Sequence, residues 1–390
     1  MKNFYYKQPK FYDKFYCIGG DCPYTCCQKW TIIWEKEKVD DIKNNTSHPE
    51  LAEMAEKYFK PFDEKKYCVD VDTETGRCPF LTETGLCSIQ KNLGEEYLSR
   101  VCRSYPRLSA HFKNIITRTL DTTCFAVIDL ITQSEDSMDL IMKEIKEDKV
   151  VSRTLVNKEF VNSPSLNYQN EIVDFFYEIL NNKERNISAS IILGALAAKK
   201  ITEYCNKEKA HMIPEVLNKL RPQMNDKKQL DSINKMEKNY NFSVGIVNEI
   251  LKILYRKDVF TVLYTDDKPD VEKSKIGFSK FEEATKDKQY MVKNIILNYF
   301  LLSFTYMYDS KLSLYQNYLY FAFVAAAVKL STAVIGYVSK TNEDIIHDFI
   351  DYQPIFARRL YNVKNAKELI VHYFESNKIN TPAYIALMVK

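Results

Sequence analysis

With 45% hydrophobic and 27% charged side chains over 390 residues, the chain belongs among globular proteins and is not disordered. Its 55 basic and 52 acidic residues leave a formal charge of only +3, so electrostatics gives no argument for a nucleic-acid or membrane partner. The opening M-K-N-F-Y-Y-K-Q-P-K lacks the apolar core of a signal peptide, and no stretch offers about 18 uncharged apolar residues, so a cytoplasmic location with reduced thiols is the default expectation.

Residues 1 to 16 are aromatic and basic, with Phe4, Tyr5, Tyr6, Phe11, Tyr12, Phe15 and Tyr16 leading into the first thiol; such a run covers a metal site or packs on the surface. From Cys17 to Cys27 the chain reads C-I-G-G-D-C-P-Y-T-C-C. Four thiols in eleven residues are too many for small core side chains and point to metal ligands. Trp30, Ile32, Ile33 and Trp34 suggest a short strand, and a mixed-charge helical stretch runs on toward Lys60.

From Cys68 the motif T-E-T-G-x-C occurs twice at a spacing of nine. Each copy puts Gly76 or Gly85 where a turn can take positive φ, with Cys78 or Cys87 two residues on, an arrangement that suits metal loops and plain hairpin turns alike. Glu95 to Val101 can form a short helix ending near Cys102, broken by Pro106. His111 to Leu120 is a strand or a helix, and Asp121, Thr122 or Thr123 can cap a helix starting at Cys124.

Beyond Met138 the patterns become helical. Leu140, Ile141 and Ile145 suit one amphipathic helix, Ile172 to Leu180 a second, and Ile246 to Leu254 a third. Polar stretches near 153 to 168, 221 to 242 and 264 to 276 read as connectors. Met291 to Tyr308 and Leu314 to Val338 are apolar around most of their circumference and predict central helices of a bundle; Tyr318 to Val328, stopped by Lys329, reads as buried rather than membrane-spanning. The dense aromatics there, Tyr299 and Tyr320 among them, are explained by core packing ahead of a cofactor pocket. Thr341-Asn-Glu-Asp344 marks a helix start.

The expected fold is therefore mainly α: an irregular cysteine-rich metal-binding module with short strands and turns over 1 to 130, then a helical bundle over 131 to 390. Nine of the ten cysteines lie at or before Cys124, with only Cys205 beyond. A chain this long has no need of disulfide staples, which favours metal over a disulfide framework. Zinc ribbons usually carry two C-x2-C knuckles, and none is present, whereas iron-sulfur clusters tolerate more varied spacing. Of the vicinal Cys26 and Cys27, neighbouring side chains that tend to diverge, one is expected to ligate while the other packs or serves a second site. The five histidines form no zinc-enzyme pattern, and nine glycines supply neither a phosphate loop nor G-x-G-x-x-G.

C-x4-C-x3-C-C, followed by C-P-F-L, L-C-S-I, and L-G-E with C-R-S-Y-P-R, resembles the flagellin lysine N-methylases, within a wider group of cysteine-rich zinc- or iron-chelating proteins; N-I-I-L-N-Y-F at 294 to 300 is similar to their helical C-terminal part. The resemblance implies a cytoplasmic enzyme that transfers methyl groups from S-adenosylmethionine to lysine ε-amines of flagellin and carries a [4Fe-4S] cluster. The alternative is a non-enzymatic zinc- or iron-binding protein on the same scaffold. On the first reading the metal ligands are drawn from Cys17, Cys22, Cys26, Cys27, Cys78, Cys87, Cys102 and Cys124, and less firmly Cys68. Asp70, Asp72, Glu95 or Glu96 would take the lysine proton, with Tyr105 also in the candidate catalytic set, and Arg103 or Arg107 would bind the donor's carboxylate.

Overall fold

The computed structural model describes residues 3–27, 31–72, 74–145, 167–204, 209–257 and 259–390. Trp30, Cys205 and most of the connector expected at 153 to 168 lie outside the described residues. The chain divides into two compact units: Phe15–Leu108 with Cys124–Ala126, and Met1–Lys14 with Ser109–Thr123 and Val127–Lys390. Helices dominate and strands are short, so the fold is mainly α with a strand-containing N-terminal part.

The smaller unit is built on a three-stranded antiparallel sheet in the order Ile32–Glu35, Lys66–Val69, Lys60–Asp63. Ile32 and Trp34 alternate inward while Ile33 and Glu35 face out, the period-two pattern of a half-buried strand. Helices Lys36–Lys43 and Pro49–Tyr58 follow, the second opening on Pro49 where a missing N–H costs nothing. Val39, Ile42, Leu51 and Ala55 pack with Trp34, Phe59, Phe80 and Ile89 into one core. Edge-to-face contact of Trp34 with Phe59 at 5.3 Å helps to fix it.

The larger unit carries a four-stranded sheet in the order Arg107–Phe112, Ile115–Leu120, Phe4–Pro9, Leu140–Ile145. Phe4–Pro9 runs parallel to Ile115–Leu120 and antiparallel to Leu140–Ile145. The segment from His111 to Leu120 is thus the end of one strand and the whole of the next. Leu140–Ile145, expected as a helix, is a strand instead: Phe4–Pro9 pairs with it residue by residue, and that pairing overrides a weak helical spacing.

The other two expected helices stand, as Gln169–Leu180 and Tyr240–Tyr255. Two expected connectors do not. The stretch 221 to 242 holds helix Lys227–Asn234, capped by Asp226, and 264 to 276 holds a two-residue-per-strand hairpin and the start of helix Val271–Ala284, capped by Asp270. Both caps are aspartates whose carboxylates accept an amide of the first turn, a signal hidden among many charged neighbours.

Leu314–Val338 is the central helix, buried along most of its length, and it opens on a capping box in which Ser313 and Gln316 bond each other's backbone amides. By length and composition alone it could cross a membrane, but most of it is buried inside the fold. Tyr290–Phe304 packs beside it through a phenyl cluster, with Phe300 stacked on Phe304 at 4.6 Å and meeting Phe321 edge-on at 5.4 Å. Thr341 and Asp344 form a second capping box and open helix Asn342–Tyr361, as the sequence predicts.

Asn294 and Asn298 explain why N-I-I-L-N stands out in an otherwise apolar helix. They sit one turn apart on one face. Asn294 Nδ2 donates to the carbonyls of Ile131 and Ser134 at 3.1 and 2.9 Å. Asn298 Nδ2 donates to the Leu120 carbonyl at 2.9 Å and its Oδ1 accepts from Thr119 Oγ1 at 2.5 Å.

Val271–Ala284 crosses the central helix with no side-chain layer at the contact. A Cβ on Gly277 would collide with the Ala333 carbonyl oxygen, and one on Gly336 with the Gly277 carbonyl oxygen. Gly277→Ala is expected to destabilise the protein by about 2 kcal/mol or more, read as a fall in the urea midpoint, because backbone must move to admit the methyl.

Lys329 of the central helix points its Nζ at the Val389 carbonyl and Ser188 Oγ. Burial first, then the charges of Lys238 and Lys390, lower its pKa to about 7 from 10.5. Between those values the unfolded chain holds more protons than the folded one, so stability rises with pH across that window and the cost is full below it. Relative to Lys329→Met, the wild type is expected to gain up to roughly 1.4 kcal/mol per pH unit between pH 7 and 10, measured by urea unfolding at several pH values.

Candidate metal centre

The two cysteine-rich stretches meet through their backbones. The Cys78 amide donates to the Cys27 carbonyl at 2.8 Å. Gly20 and Gly85 also touch: a Cβ on Gly85 would stand 3.1 Å from Gly20 Cα, and one on Gly20 would strike the Thr84 carbonyl oxygen. Gly76 and Gly85 take φ of +69° and +76°, as each T-E-T-G turn requires. Asp72 closes the first turn by accepting from the Glu74 and Thr75 amides at 3.0 and 2.6 Å, and Thr82 closes the second by accepting from the Leu86 amide at 3.1 Å.

Around this contact six thiols form a chain of neighbours, each within electrostatic reach of at least one other. Cys26 lies near Cys27, Cys17 and Cys102, while Cys27 acts on Cys78, Cys87 and Cys102. The vicinal pair does not diverge as expected, since the two sulfurs share a hydrogen bond that pushes the Cys26 thiol up and pulls Cys27 down. Burial lifts Cys78 and Cys102 to about 12, and Cys87 upward as well. The cause is the apolar wall behind them, because Cys27, Cys78, Cys87 and Cys102 all pack on the core of Trp34, Phe80 and Ile89.

No described cysteine is in a disulfide. Among the described residues no three cysteine, histidine or acidic side chains stand in metal-holding geometry, so the thiols converge without forming a closed coordination sphere. As a donor set they suit a soft, thiolate-preferring centre, with enough sulfurs for a cluster or a zinc ion.

The remaining candidates fall at varying removes. Cys22 follows the short turn Gly19–Asp21, and Cys17 is exposed, its sulfur accepting from the Gly19 amide at 3.4 Å. Cys124 precedes helix Phe125–Thr132, whose Phe125 ring lies 6.0 Å from that of Tyr24, between Cys22 and Cys26. Cys68 is buried in its strand opposite Ile33, where burial and then Asp70 raise its pKa.

Asp70 is exposed and accepts from Thr31 Oγ1 at 2.9 Å, while Glu95 is exposed in the turn Glu95–Tyr97. Cys102 lies inside a helix, Arg100–Ser104, rather than at the end of one. Ser99 caps it, its Oγ accepting from the Cys102 amide at 3.0 Å; this fully buried serine escaped notice because nothing in its spacing marks it. Arg103 is on that helix and Tyr105 closes it. Arg107 stacks on the Phe15 ring at 5.1 Å and donates to the Phe15 carbonyl at 3.4 Å.

These features define a cysteine-rich, largely helical protein with a convergent thiol site. A family model described as the FliB lysine N-methylase C-terminal domain matches residues 173–388. That is more than half of the chain, which therefore belongs to the FliB lysine N-methylase family. It is 26% identical over 194 residues to the lysine-N-methylases of Salmonella typhimurium and Salmonella choleraesuis, covering 49% of this chain and 46% of each relative. It is also 31% identical over 146 residues to the flagellar biosynthetic protein FliU of Salmonella muenchen, covering 36% of this chain and 84% of that protein. The chain thus matches about half the length of the two lysine-N-methylases. No solved structure matches.

On the expectation that both stretches supply one metal site, Cys22→Ser and Cys87→Ser should lower the same metal content, measured by metal analysis of anaerobically prepared protein. Gly20→Val, which removes no ligand, should lower it too by pushing the Thr84 carbonyl away; normal loading in that variant would show that the two loops act separately.

Proposed function

We propose that the chain is a protein-lysine N-methyltransferase that uses S-adenosylmethionine, acts on flagellin in the cytoplasm, and holds a [4Fe-4S] cluster on its thiol site. The carrying observation is family membership over residues 173–388, joined to relatives named lysine-N-methylase and a flagellar biosynthetic protein. The convergent thiols support the cluster.

Its ligands would be drawn from Cys26, Cys27, Cys78, Cys87 and Cys102, with Cys17, Cys22 and Cys124 at the edge. Held by three of these cysteines, such a cluster would supply a site that binds and orients the methyl donor. The chain's own contributions are positional. Arg103, on the same short helix as Cys102, is the cation best placed by sequence to meet a carboxylate, since Arg107 already serves Phe15. The apolar wall of Trp34, Phe80 and Ile89 keeps water from one side of the thiols. The acceptor lysine must shed its proton before attack, which a desolvated aromatic setting favours.

Incubating anaerobically purified protein with flagellin and S-adenosylmethionine is expected to add steps of about 14 Da at lysines, seen by peptide mass spectrometry. The same sample should show broad absorbance near about 400 nm. Colourless protein with stoichiometric zinc and no mass gain would instead leave a metal-binding protein without this activity.

A further inference from the structure

The larger unit holds a recess of about 60 Å³ between helix Gln169–Leu180, the turn after it, and the end of helix Ile213–Gln223. By the space that one enclosed water occupies, this volume admits roughly four to six heavy atoms. Its lining is divided by chemistry. Phe175, Ile179 and Met224, all buried, supply an apolar part, and Asn182, Arg185, Arg221 and Asn225 supply N–H donors. Glu178 is the one acid among the described lining residues.

The two guanidiniums are held differently. Arg221 Cζ lies 5.7 Å from the centroid of the Phe175 ring, and its Nη1 donates to Glu178 in an ion pair open to solvent. Arg185 donates its Nη2 to Asn225 Oδ1 at 2.7 Å, and its buried Nη1 meets no acceptor among the described residues. Burial lowers the Arg185 pKa, with no described carboxylate offsetting it. An arginine just past a helix C-terminus ordinarily serves the last carbonyls. Here that duty falls to another residue, since Lys293 Nζ donates to the carbonyls of Asn181 and Asn182 at 3.2 and 3.0 Å, on the turn that leads to Arg185. A guanidinium whose bonded partner is a neutral amide, and which has a buried N–H left over, is short of an anion.

We propose that this recess binds a carboxylate carried on a short apolar stem, with Arg185 and Arg221 holding the oxygens and Phe175, Ile179 and Met224 packing on the stem. The guanidinium fork matches a planar carboxylate. The volume admits that group with about two or three carbons, as in a glutamate side chain or a free short-chain acid. A phosphate would set further charged oxygens against the apolar part of the lining. Glu178 competes with the ligand for Arg221. The site requires no metal and stands apart from the methyl-transfer reading, so neither decides the other.

The test is calorimetric titration of the full chain with four probes: Nα-acetyl-glutamate methylamide, its uncharged glutamine counterpart, butyrate, and inorganic phosphate. A carboxylate probe is expected to bind and the glutamine probe is not. Binding of the glutamate probe alone assigns the carboxylate to a polypeptide, and binding of butyrate alone or as tightly assigns it to a small acid; each supports the site. Arg185→Gln should weaken the binding about tenfold or more. Glu178→Gln, at an exposed position, should strengthen it about threefold by releasing Arg221. The opposite signs separate a lost ligand contact from a lost fold. No carboxylate binding, equal binding of the glutamine probe, tighter binding of phosphate, unchanged affinity in Arg185→Gln, or no gain in Glu178→Gln overturns the site.

Discussion

Two buried asparagines one helical turn apart, Asn294 and Asn298, tie helix Tyr290–Phe304 to the end of strand Ile115–Leu120 and to the last turn of helix Phe125–Thr132. Their amides donate to the carbonyls of Leu120, Ile131 and Ser134. An apolar side chain at either position would remove those donors. The anchored stretch runs on directly into Asp121 and Thr122, and Thr122 Oγ1 lies within hydrogen-bond distance of Tyr361 Oη, so helix Asn342–Tyr361 is tied to the same segment.

The smaller unit solves a different problem, that of collecting thiols from segments far apart in sequence without a regular scaffold. Its device is backbone against backbone, Gly20 on Gly85 and Cys78 on the Cys27 carbonyl. Side chains would hold the loops apart, and glycine both removes them and supplies the positive φ at Gly85. The apolar core behind the sulfurs makes thiolate unfavourable at Cys78, Cys87 and Cys102, so the same packing that gathers these thiols also favours their protonated form.

Features governed by local chemistry were legible in the sequence. The T-E-T-G turns, the Thr341 capping box, the strand at Ile32–Trp34 and the two apolar central helices all follow from a few neighbouring residues, and all are present. Pairing between distant segments was not legible. Leu140–Ile145 is a strand because Phe4–Pro9 lies beside it, and no periodicity within six residues records that. The vicinal thiols face each other because a turn at Thr25 aims them, with its Oγ1 accepting from the Cys27 amide at 3.1 Å.

The interleaving of the two units along the chain also bears on synthesis. Phe4–Pro9 is made well before its parallel partner Ile115–Leu120, and most of what lies between them, Phe15–Leu108, belongs to the other unit. At translation rates of roughly 5–20 residues per second the leading strand stays unpaired for several seconds while the thiol-bearing unit emerges almost complete. The nascent chain can therefore bring most of its cysteines together before the helical core exists, and the aromatic, lysine-containing strand must remain soluble as an open edge until its partner arrives.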